Sequence, residues 1–274
     1  MGISKLDLDF YTILISIDMN DCAIRILSAP KTNTHLFYIG QAGFVFKSKS
    51  GQTLALDLYL SDCGERFEHS LGFKRLLPRI LGPQEIVFDY IIATHSHFDH
   101  YDVDSMPFLM SNHHSHLFAS INCKKFVDEA VLDERRVSYV KPYDSFKAGD
   151  FSLSFTTCDH GLLAPDAVGV IIEVDEKRIF VAGDTCLRID RQSEFLSRGP
   201  LDIMIAPING EYGNLNEEEC AELSKALQPR LTIPCHYGLF ARHKGLPGLF
   251  MEKMKEICPE RQYTVLTMGE CMAI

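Results

Sequence analysis

The amino-acid sequence predicts a layered α/β or α+β fold. Short apolar runs recur along the chain with turn residues between them, and segments of helical character are interspersed among these runs. The chain has 274 residues, of which 46% are hydrophobic and 23% are charged. That length can bury a large core, and no Gly/Ser-rich or Pro-rich linker divides the chain. We therefore predict a single domain over residues 1–274.

The first third of the chain is predicted to be β structure. Apolar or alternating runs at residues 36–39, 44–47 and 53–57 are separated by glycines and by a Ser-Lys-Ser-Gly turn, which is typical of short strands. Residues 62–83 contain three glycines and two prolines, which break any long element. This segment is expected to be a loop, or a set of short helices, on the substrate side of the molecule.

From residue 86 onward, strands and helices are predicted to alternate. Asn122 is the expected N-cap of one helix, and Asn216 with Glu219 forms the capping pair of another. A tight turn at Asp175-Glu176 is expected to join two strands. The strands are expected at 86–93, 116–119, 151–156, 168–174, 177–182, 201–206, 231–234 and 264–267, and the helices at about 103–111, 123–132, 217–227 and 247–258.

Composition excludes several classes of protein. The net charge of -10 argues against non-specific binding to nucleic acid or to an anionic membrane. No stretch approaches the ~20 apolar residues of a membrane span, and the N-terminus lacks a signal-peptide pattern. Nine cysteines without a CxxC pair indicate reduced thiols, so we expect a cytoplasmic location. A homo-oligomer is compatible with the sequence.

Three histidines and an aspartate lie within six residues, directly after the strand predicted at 86–93. His95 and His97 are two residues apart, so on an extended strand end they face the same way and can share a cation. Asp99 and His100 follow a turn of the chain, which would aim them at a second cation. Imidazole nitrogen and carboxylate oxygen suit zinc or manganese, with iron as a third option.

Three further potential ligands have the same placement in the chain. His160, Asp184 and His236 each come just after an apolar strand, where loops from a sheet converge on a ligand site. The seven groups can serve two divalent metal ions, with Asp184 between them. Such a pair lowers the pKa of a shared water and polarises a carbonyl or phosphoryl oxygen.

These motifs resemble the metallo-β-lactamase superfamily. The resemblance rests on the HxHxDH motif at 95–100, then His160, Ala-Gly-Asp-Thr at 182–185 and Pro-Cys-His-Tyr at 234–237, and it covers about residues 36–269. Within the superfamily, the stretches at 39–46, 93–103 and 233–237 look most like the L-ascorbate-6-phosphate lactonase group.

The resemblance implies an αββα sandwich, four layers deep, with a dinuclear site at one edge of the two sheets. It also implies a division of the ligands between the two ions. His95, His97 and His160 would hold one ion, and Asp99, His100 and His236 the other. Asp184 would bridge the two ions.

Other residues are candidates for substrate contacts. Arg66, Lys74, Arg75 and Arg79 lie in the 62–83 segment and are expected either to recognise a phosphate or carboxylate or to form a solvated face. Asn209, Glu211 and Tyr212 follow the strand at 201–206 and are expected to contact substrate. Tyr237 is a candidate donor to a developing oxyanion. His243 has no ligand-type neighbours in the sequence, so no role is predicted for it.

The predicted function is that of a cytoplasmic metal-dependent hydrolase. A metal-bridged hydroxide would attack an ester-like centre, while Asp99 orients the nucleophile or carries a proton. The expected substrate is a small lactone, either phosphorylated and anionic or not. A phosphodiesterase of the same fold is the first alternative, because two-metal sites also serve phosphorus. A non-catalytic scaffold is the second alternative, although its expected signature is a loss of ligands.

Overall fold

A computed structural model describes residues 21–68 and 72–274. The signal-peptide prediction concerns the N-terminal segment and lies outside the described residues, as do three positions of the 62–83 loop. The helices are α1 Asp21–Ser28, α2 Cys63–Phe67, α3 Met106–Leu109, α4 Lys124–Glu129, α5 Gln192–Phe195, α6 Glu217–Leu227 and α7 Pro247–Ile257. The strands are β1 His35–Gly40, β2 Gly43–Lys47, β3 Thr53–Leu56, β4 Tyr90–Ala93, β5 His116–Ser120, β6 Val137–Val140, β7 Ser145–Ala148, β8 Phe151–Thr157, β9 Val168–Val174, β10 Lys177–Val181, β11 Ile203–Pro207, β12 Leu231–Cys235, β13 Gln262–Tyr263 and β14 Cys271–Ala273.

The strands form two mixed, seven-stranded sheets. The first sheet has the order β14-β1-β2-β3-β4-β5-β6, and the second has the order β13-β12-β11-β10-β9-β8-β7. Strands β3 to β6 run parallel in the first sheet, as do β10 to β13 in the second. Parallel strands end at the same edge of a sheet, so the loops that follow them are brought together there.

The two sheets pack face to face around the largest apolar core. Side chains alternate along each strand, and in β1 Leu36 and Tyr38 face the opposite sheet while Phe37 and Ile39 face outward. Both faces are covered, so every residue of β1 is buried. This explains why these strands are apolar runs without the polar alternation of a solvated sheet.

Helices cover the outer face of each sheet. Helices α1, α3 and α4 pack on the first sheet, and helices α5, α6 and α7 pack on the second. The four-layer αββα sandwich is therefore confirmed. The capping box of α6 is also confirmed, because Asn216 Oδ1 accepts from Glu219 N and Asn216 N donates to Glu219 Oε2, both at 2.9 Å. No helix among the described residues combines the length and hydropathy of a membrane span.

The predicted strand at 86–93 and helix at 103–111 are shorter in the structure. The pairing of β4 with β3 begins at Tyr90, which lies opposite Leu54. One residue earlier in β3, Thr53 N donates to the Asp89 side chain at 2.8 Å and not to a backbone carbonyl of the neighbouring strand. The backbone pairing therefore does not extend to Asp89, and β4 begins only at Tyr90. The helix is reduced to α3 because residues 103–105 form turns around the Asp102 carboxylate.

Two further predictions about local structure are wrong. Asn122 does not cap a helix: it lies inside a 3₁₀ turn, and its side chain and backbone both bond to Asp166. Residues 264–267 are not a strand, because this stretch crosses from the second sheet to the first, where β14 pairs with β1. Strands β6 and β7 were not anticipated, since their partly exposed residues give a weaker pattern than a buried apolar run.

Candidate metal centre

The structure brings together the seven residues predicted to hold metal. Four of them come from the corner that follows β4, and the other three come after β8, β10 and β12. The ends of strands from both sheets therefore meet at one edge of the sandwich. All seven are buried except His97, which is half-buried. They are His95, His97, Asp99, His100, His160, Asp184 and His236.

Three imidazoles converge on one point. His97 Nδ1 lies 3.0 Å from His95 Nε2 and 3.3 Å from His160 Nε2. Two ring nitrogens can share only one proton, so three that face each other cannot all be satisfied by mutual hydrogen bonds. Neutral imidazole nitrogens in this arrangement are the ligands that zinc and other first-row divalent ions accept. The donor set therefore fits a cation.

Asp184 connects this triplet to the remaining ligands. Its Oδ1 lies 3.3 Å from His100 Nε2, and its Oδ2 lies 3.2 Å from His236 Nε2 and 3.9 Å from His160 Nε2. Asp99 Oδ2 lies 3.4 Å from the same nitrogen of His236. Asp184 is thus placed between two groups of donors, as a bridging carboxylate would be.

The cluster shifts the pKa values of its members. Burial, reinforced by His100, lowers the pKa of His95 well below its ordinary value. Burial alone would lower the pKa of His236, but the carboxylates of Asp184 and Asp99 raise it to about 9. Burial alone would raise the pKa of Asp184, and His236 and His100 reverse this effect and lower it well below its ordinary value. The buried carboxylates of Asp99 and Asp184 therefore stay ionised beside the imidazoles, and ionised carboxylates are groups that can hold a cation.

Asp57 orients His100 and was not predicted. It follows β3 directly and is buried, and it accepts hydrogen bonds from Thr94 N, Thr94 Oγ1 and His100 Nδ1 at 2.8, 2.7 and 2.8 Å. A carboxylate on Nδ1 leaves Nε2 free to face the cluster and fixes the ring. Its position just past an apolar strand was the signal used for the other ligands, and it could have identified Asp57.

Asp102 fixes the corner that carries the first four ligands. Its buried carboxylate accepts from Leu60 N, Ser61 N, Ser61 Oγ and Ser105 Oγ at 2.8, 2.7, 2.6 and 2.8 Å. These bonds tie the chain after β3 to the chain after the HxHxDH motif. The segment that carries His95, His97, Asp99 and His100 is therefore held in place by the hydrogen bonds of Asp102.

Gln41 and His243 also reach the cluster. Gln41 lies between β1 and β2, is fully buried, and places its Nε2 3.0 Å from Asp99 Oδ2 and 2.7 Å from His243 Nδ1. The donor atoms of His243, Asp99 and His236 lie within 4.8 Å of one another. No role was predicted for His243 because no candidate ligand lies near it in the sequence. The fold places it beside Asp99 and His236.

The three residues predicted after the strand at 201–206 have different positions. Tyr212 lines the cavity above the ligands. Asn209 is buried, and its Oδ1 accepts from Asn214 Nδ2 at 3.1 Å, while the same nitrogen donates to Asp184 Oδ2 at 2.9 Å. Glu211 lies 3.2 Å from Lys244 Nζ. Asn214, for which no role was predicted, is the residue that donates to the Asp184 carboxylate.

Tyr237 does not turn its hydroxyl toward the site. The hydroxyl donates to the carbonyl oxygen of Leu266 at 2.5 Å, and the ring packs against Tyr38 with centroids 5.8 Å apart. Side chains alternate at the end of β12, so the neighbour of His236 points into the protein body. The geometry therefore gives no support to the predicted oxyanion contact.

The four basic residues of the 62–83 segment face acidic partners. The distances from nitrogen to carboxylate oxygen run from 2.7 Å for Arg66 to 3.9 Å for Lys74. Arg75 is largely buried and also donates to Tyr59 O at 3.1 Å. None of the four lines the cavity over the ligands. The structure does not bring these residues, Arg66, Lys74, Arg75 and Arg79, to the metal centre.

A cavity of about 260 Å³ opens directly over the ligands. Its floor includes His97, Asp99, Asp184, His236 and His243, and Glu68 also lines it. Its walls are largely apolar and come from four separate loops. The wall residues are Phe73, Phe98, Leu163 and Tyr212.

Comparison with known proteins identifies the family. The family model described as "Beta-lactamase superfamily domain" matches residues 35–236. The chain belongs to the metallo-β-lactamase superfamily. A UPF0173 metal-dependent hydrolase of Aeropyrum pernix is 25% identical over 252 residues, which are 86% of this chain and 95% of that protein. The chain is accordingly a metal-dependent hydrolase of the metallo-β-lactamase fold.

Solved structures of similar proteins support the fold. Igni18, a metallo hydrolase of Ignicoccus hospitalis, has a TM-score of 0.68 at 20% identity and matches 89% of this chain and 99% of its own. An isothiocyanate hydrolase from Delia radicum gut bacteria has a TM-score of 0.71 at 20% identity, over 87% of this chain and 98% of its own. At 20% identity, these similarities are evidence for a shared fold.

Proposed function

We propose that the protein hydrolyses a small, neutral carboxylic ester or lactone whose apolar part fills the cavity over two divalent cations. The observation that carries this proposal is the combination of a ligand cluster at the floor and apolar walls above it. Phe73 and Phe98 pack edge to face with ring centroids 5.1 Å apart, and Leu163 is 56% exposed beside them. An apolar substrate group would cover these side chains and gain from their removal from water.

The charges around the cavity argue against a phosphorylated substrate. Among its lining residues that the structure describes, there is no lysine or arginine, and Glu68 adds a carboxylate to those of Asp99 and Asp184. Recognition of phosphate generally uses arginine or lysine side chains. A neutral lactone or ester therefore suits these walls better than an anionic substrate.

The chain's own residues would divide the work of catalysis. When bound, divalent cations, with zinc or manganese expected, supply Lewis-acid activation of a water and of the scissile carbonyl. His95, His97 and His160 would hold one cation, and Asp99, His100 and His236 the other, with Asp184 contacting both. Burial alone would raise the pKa of Asp99, but His100 and His236 lower it well below its ordinary value. Such a weak base would orient the attacking water more readily than it would carry a proton.

We also place this activity in a reducing compartment such as the cytoplasm. All nine cysteines have free thiols, including those buried in the core. Unpaired thiols are typical of proteins that work where glutathione and thioredoxin keep cysteine reduced.

A panel of substrates tests the proposal. The purified protein, with its metal content measured by elemental analysis, would be given neutral aryl esters and lactones of increasing acyl length, a phosphorylated lactone and an aryl phosphodiester. Each added CH₂ that becomes buried contributes ~0.8 kcal/mol, so we expect kcat/KM to rise about fourfold per CH₂ until the cavity is full. His97→Ala should abolish turnover, and His113→Ala, at an exposed position, should have no effect.

Three results would contradict the proposal. Turnover of the phosphodiester alone would favour the phosphodiesterase alternative, and a preference for the phosphorylated lactone would contradict the neutral substrate class. Fewer than one cation per chain, together with no hydrolysis, would favour the scaffold.

A further inference from the structure

His243 is held beside the metal ligands by aromatic side chains. Its ring stacks on His236, with centroids 4.8 Å apart and planes at 27°. It meets Phe73 and Phe240 edge to face, at centroid distances of 5.1 and 5.3 Å. The ring is thereby fixed with Nδ1 toward the floor of the cavity, where Gln41 Nε2 lies 2.7 Å away.

The backbone that carries His243 is fixed as well. Gly245 has a φ of +84°, and a Cβ at this position would lie 3.0 Å from the carbonyl oxygen of His236, so glycine allows the loop to fold back on the ligand. The outer part of the loop bonds to the 62–83 segment, since Leu76 N donates to Leu239 O at 2.7 Å and Ala241 N donates to Lys74 O at 3.2 Å. The position of His243 is therefore built into the fold.

Three acceptors converge where His243 points. Gln41 Nε2 lies 3.0 Å from Asp99 Oδ2, 3.2 Å from His236 Nε2 and 2.7 Å from His243 Nδ1. An amide nitrogen has two hydrogens, so it cannot satisfy all three, and among the described residues the Oε1 atom of this buried side chain has no hydrogen-bond partner. The ligand atoms of the carboxylate and the two imidazoles lie within 4.8 Å of one another, and together they form a donor set for a cation.

We propose that His243 is a ligand of the second cation, together with Asp99 and His236. This inference rests on the two-cation centre proposed above and adds a ligand to it. His100 Nε2 lies 3.3 Å from both Asp184 Oδ1 and His236 Nε2, so it faces the middle of the cluster. The ligand from the loop completes a second triplet that mirrors His95, His97 and His160. A further imidazole favours zinc or another nitrogen-preferring ion at this position.

Metal binding to His243→Phe tests the inference, because phenylalanine keeps the aromatic packing and removes the donor. Metal-free protein would be titrated with Zn²⁺ against a chelator of known affinity, and with Co²⁺ while its visible spectrum is recorded. We expect wild type to bind two ions. In the variant, the affinity for the first ion should be unchanged. The affinity for the second ion should fall by more than the roughly 10–100-fold that loss of an outer-shell partner costs. His97→Phe should lower the affinity for the first ion, and His113→Phe should lower neither affinity.

The outcomes separate this inference from the function on which it rests. If wild type binds fewer than two ions, the two-cation function fails and the added ligand fails with it. If wild type and His243→Phe bind both ions equally, or the Co²⁺ spectra coincide, only the role of His243 is overturned, even where hydrolysis is slowed. If His243→Phe does not fold, His243→Asn replaces it, and the same selective weakening of the second ion is expected.

Discussion

The two halves of the metal centre are held in place in different ways. The half on the first sheet, residues 94–102, is supported by two buried carboxylates, Asp57 and Asp102, which together accept hydrogen bonds from both backbone and side chains. The half on the second sheet consists of single ligands that follow separate strands. There His160 Nδ1 has no hydrogen-bond partner within residues 21–68 and 72–274, and Asp184 Oδ2 accepts a hydrogen bond from Asn214.

This difference has consequences for mutations. Removal of the Asp57 or Asp102 carboxylate should unfold the corner that carries the ligands of the first half, because buried hydrogen-bond donors lose their acceptor. Removal of the Asn214 side chain, which supports the second half, should leave the fold intact and weaken the binding of cations.

The largest effect is expected for Asp102→Ala. Removal of the carboxylate leaves the backbone donors of residues 60 and 61 without a partner in a buried place, so we expect a loss of about 3–5 kcal/mol in the free energy of unfolding. Guanidinium unfolding followed by circular dichroism measures it. Asp104→Ala is the matched control: its exposed ion pair with Arg66 should contribute about 0–1 kcal/mol. Equal losses in the two variants would contradict the comparison.

The same difference explains which parts of the site could be predicted from sequence. The corner at 95–100 is local, so its chemistry is visible as a motif. His160, Asp184 and His236 could be found because each follows a predictable strand, and the sandwich followed from the resemblance. Gln41, Asn214 and His243 could not be found, because only the fold places them beside ligands that are distant in sequence.

The misplaced substrate residues have a physical explanation too. The sequence shows that Arg66 and Arg79 are charged, but it does not show that acidic side chains lie beside them. In the same segment, Phe73 reaches the cavity wall and contacts the ring of His243. A glycine- and proline-rich loop has no periodicity from which the direction of a side chain could be derived.

The second prediction concerns pH and distinguishes the two proposed cation positions by the protons on their ligands. In metal-free protein, His236 has a pKa raised to about 9, whereas the pKa of His95 is far below its ordinary value. His100, assigned to the same ion, also has its pKa raised well above the ordinary value, because Asp184, Asp57 and Asp99 outweigh the effect of burial. An imidazole must lose its proton to bind a cation, so the affinity for the ion at His236 should fall at least tenfold for each pH unit below about 9. The ion at His95 should show little dependence near neutral pH, since that ring is already uncharged.

Calorimetric titration in buffers of different ionisation enthalpy measures the protons released by each ion. At least one proton should leave with the ion bound at His236 and His100, and fewer with the ion bound at His95. Equal proton release at both positions would show that their ligands do not differ in charge. His243→Phe, in which binding of the second ion is weakened, identifies which binding step belongs to which position.

The smallest effect is expected for Asn214→Ala. Asn214 Nδ2 donates to Asp184 at 2.9 Å, and loss of such an outer partner weakens metal binding by about tenfold at the low end of its usual range. Because Asp184 contacts His100, His160 and His236, the affinities for both cations should fall together. The free energy of unfolding should change little. Asp57→Asn changes the hydrogen-bond partner of His100 and of Thr94 but leaves Asp184 untouched, so it should affect the two ions unequally. Competition with a chelator measures the affinities of both variants. An Asn214→Ala protein that loses only one ion would show that Asp184 serves one ion and does not join the two.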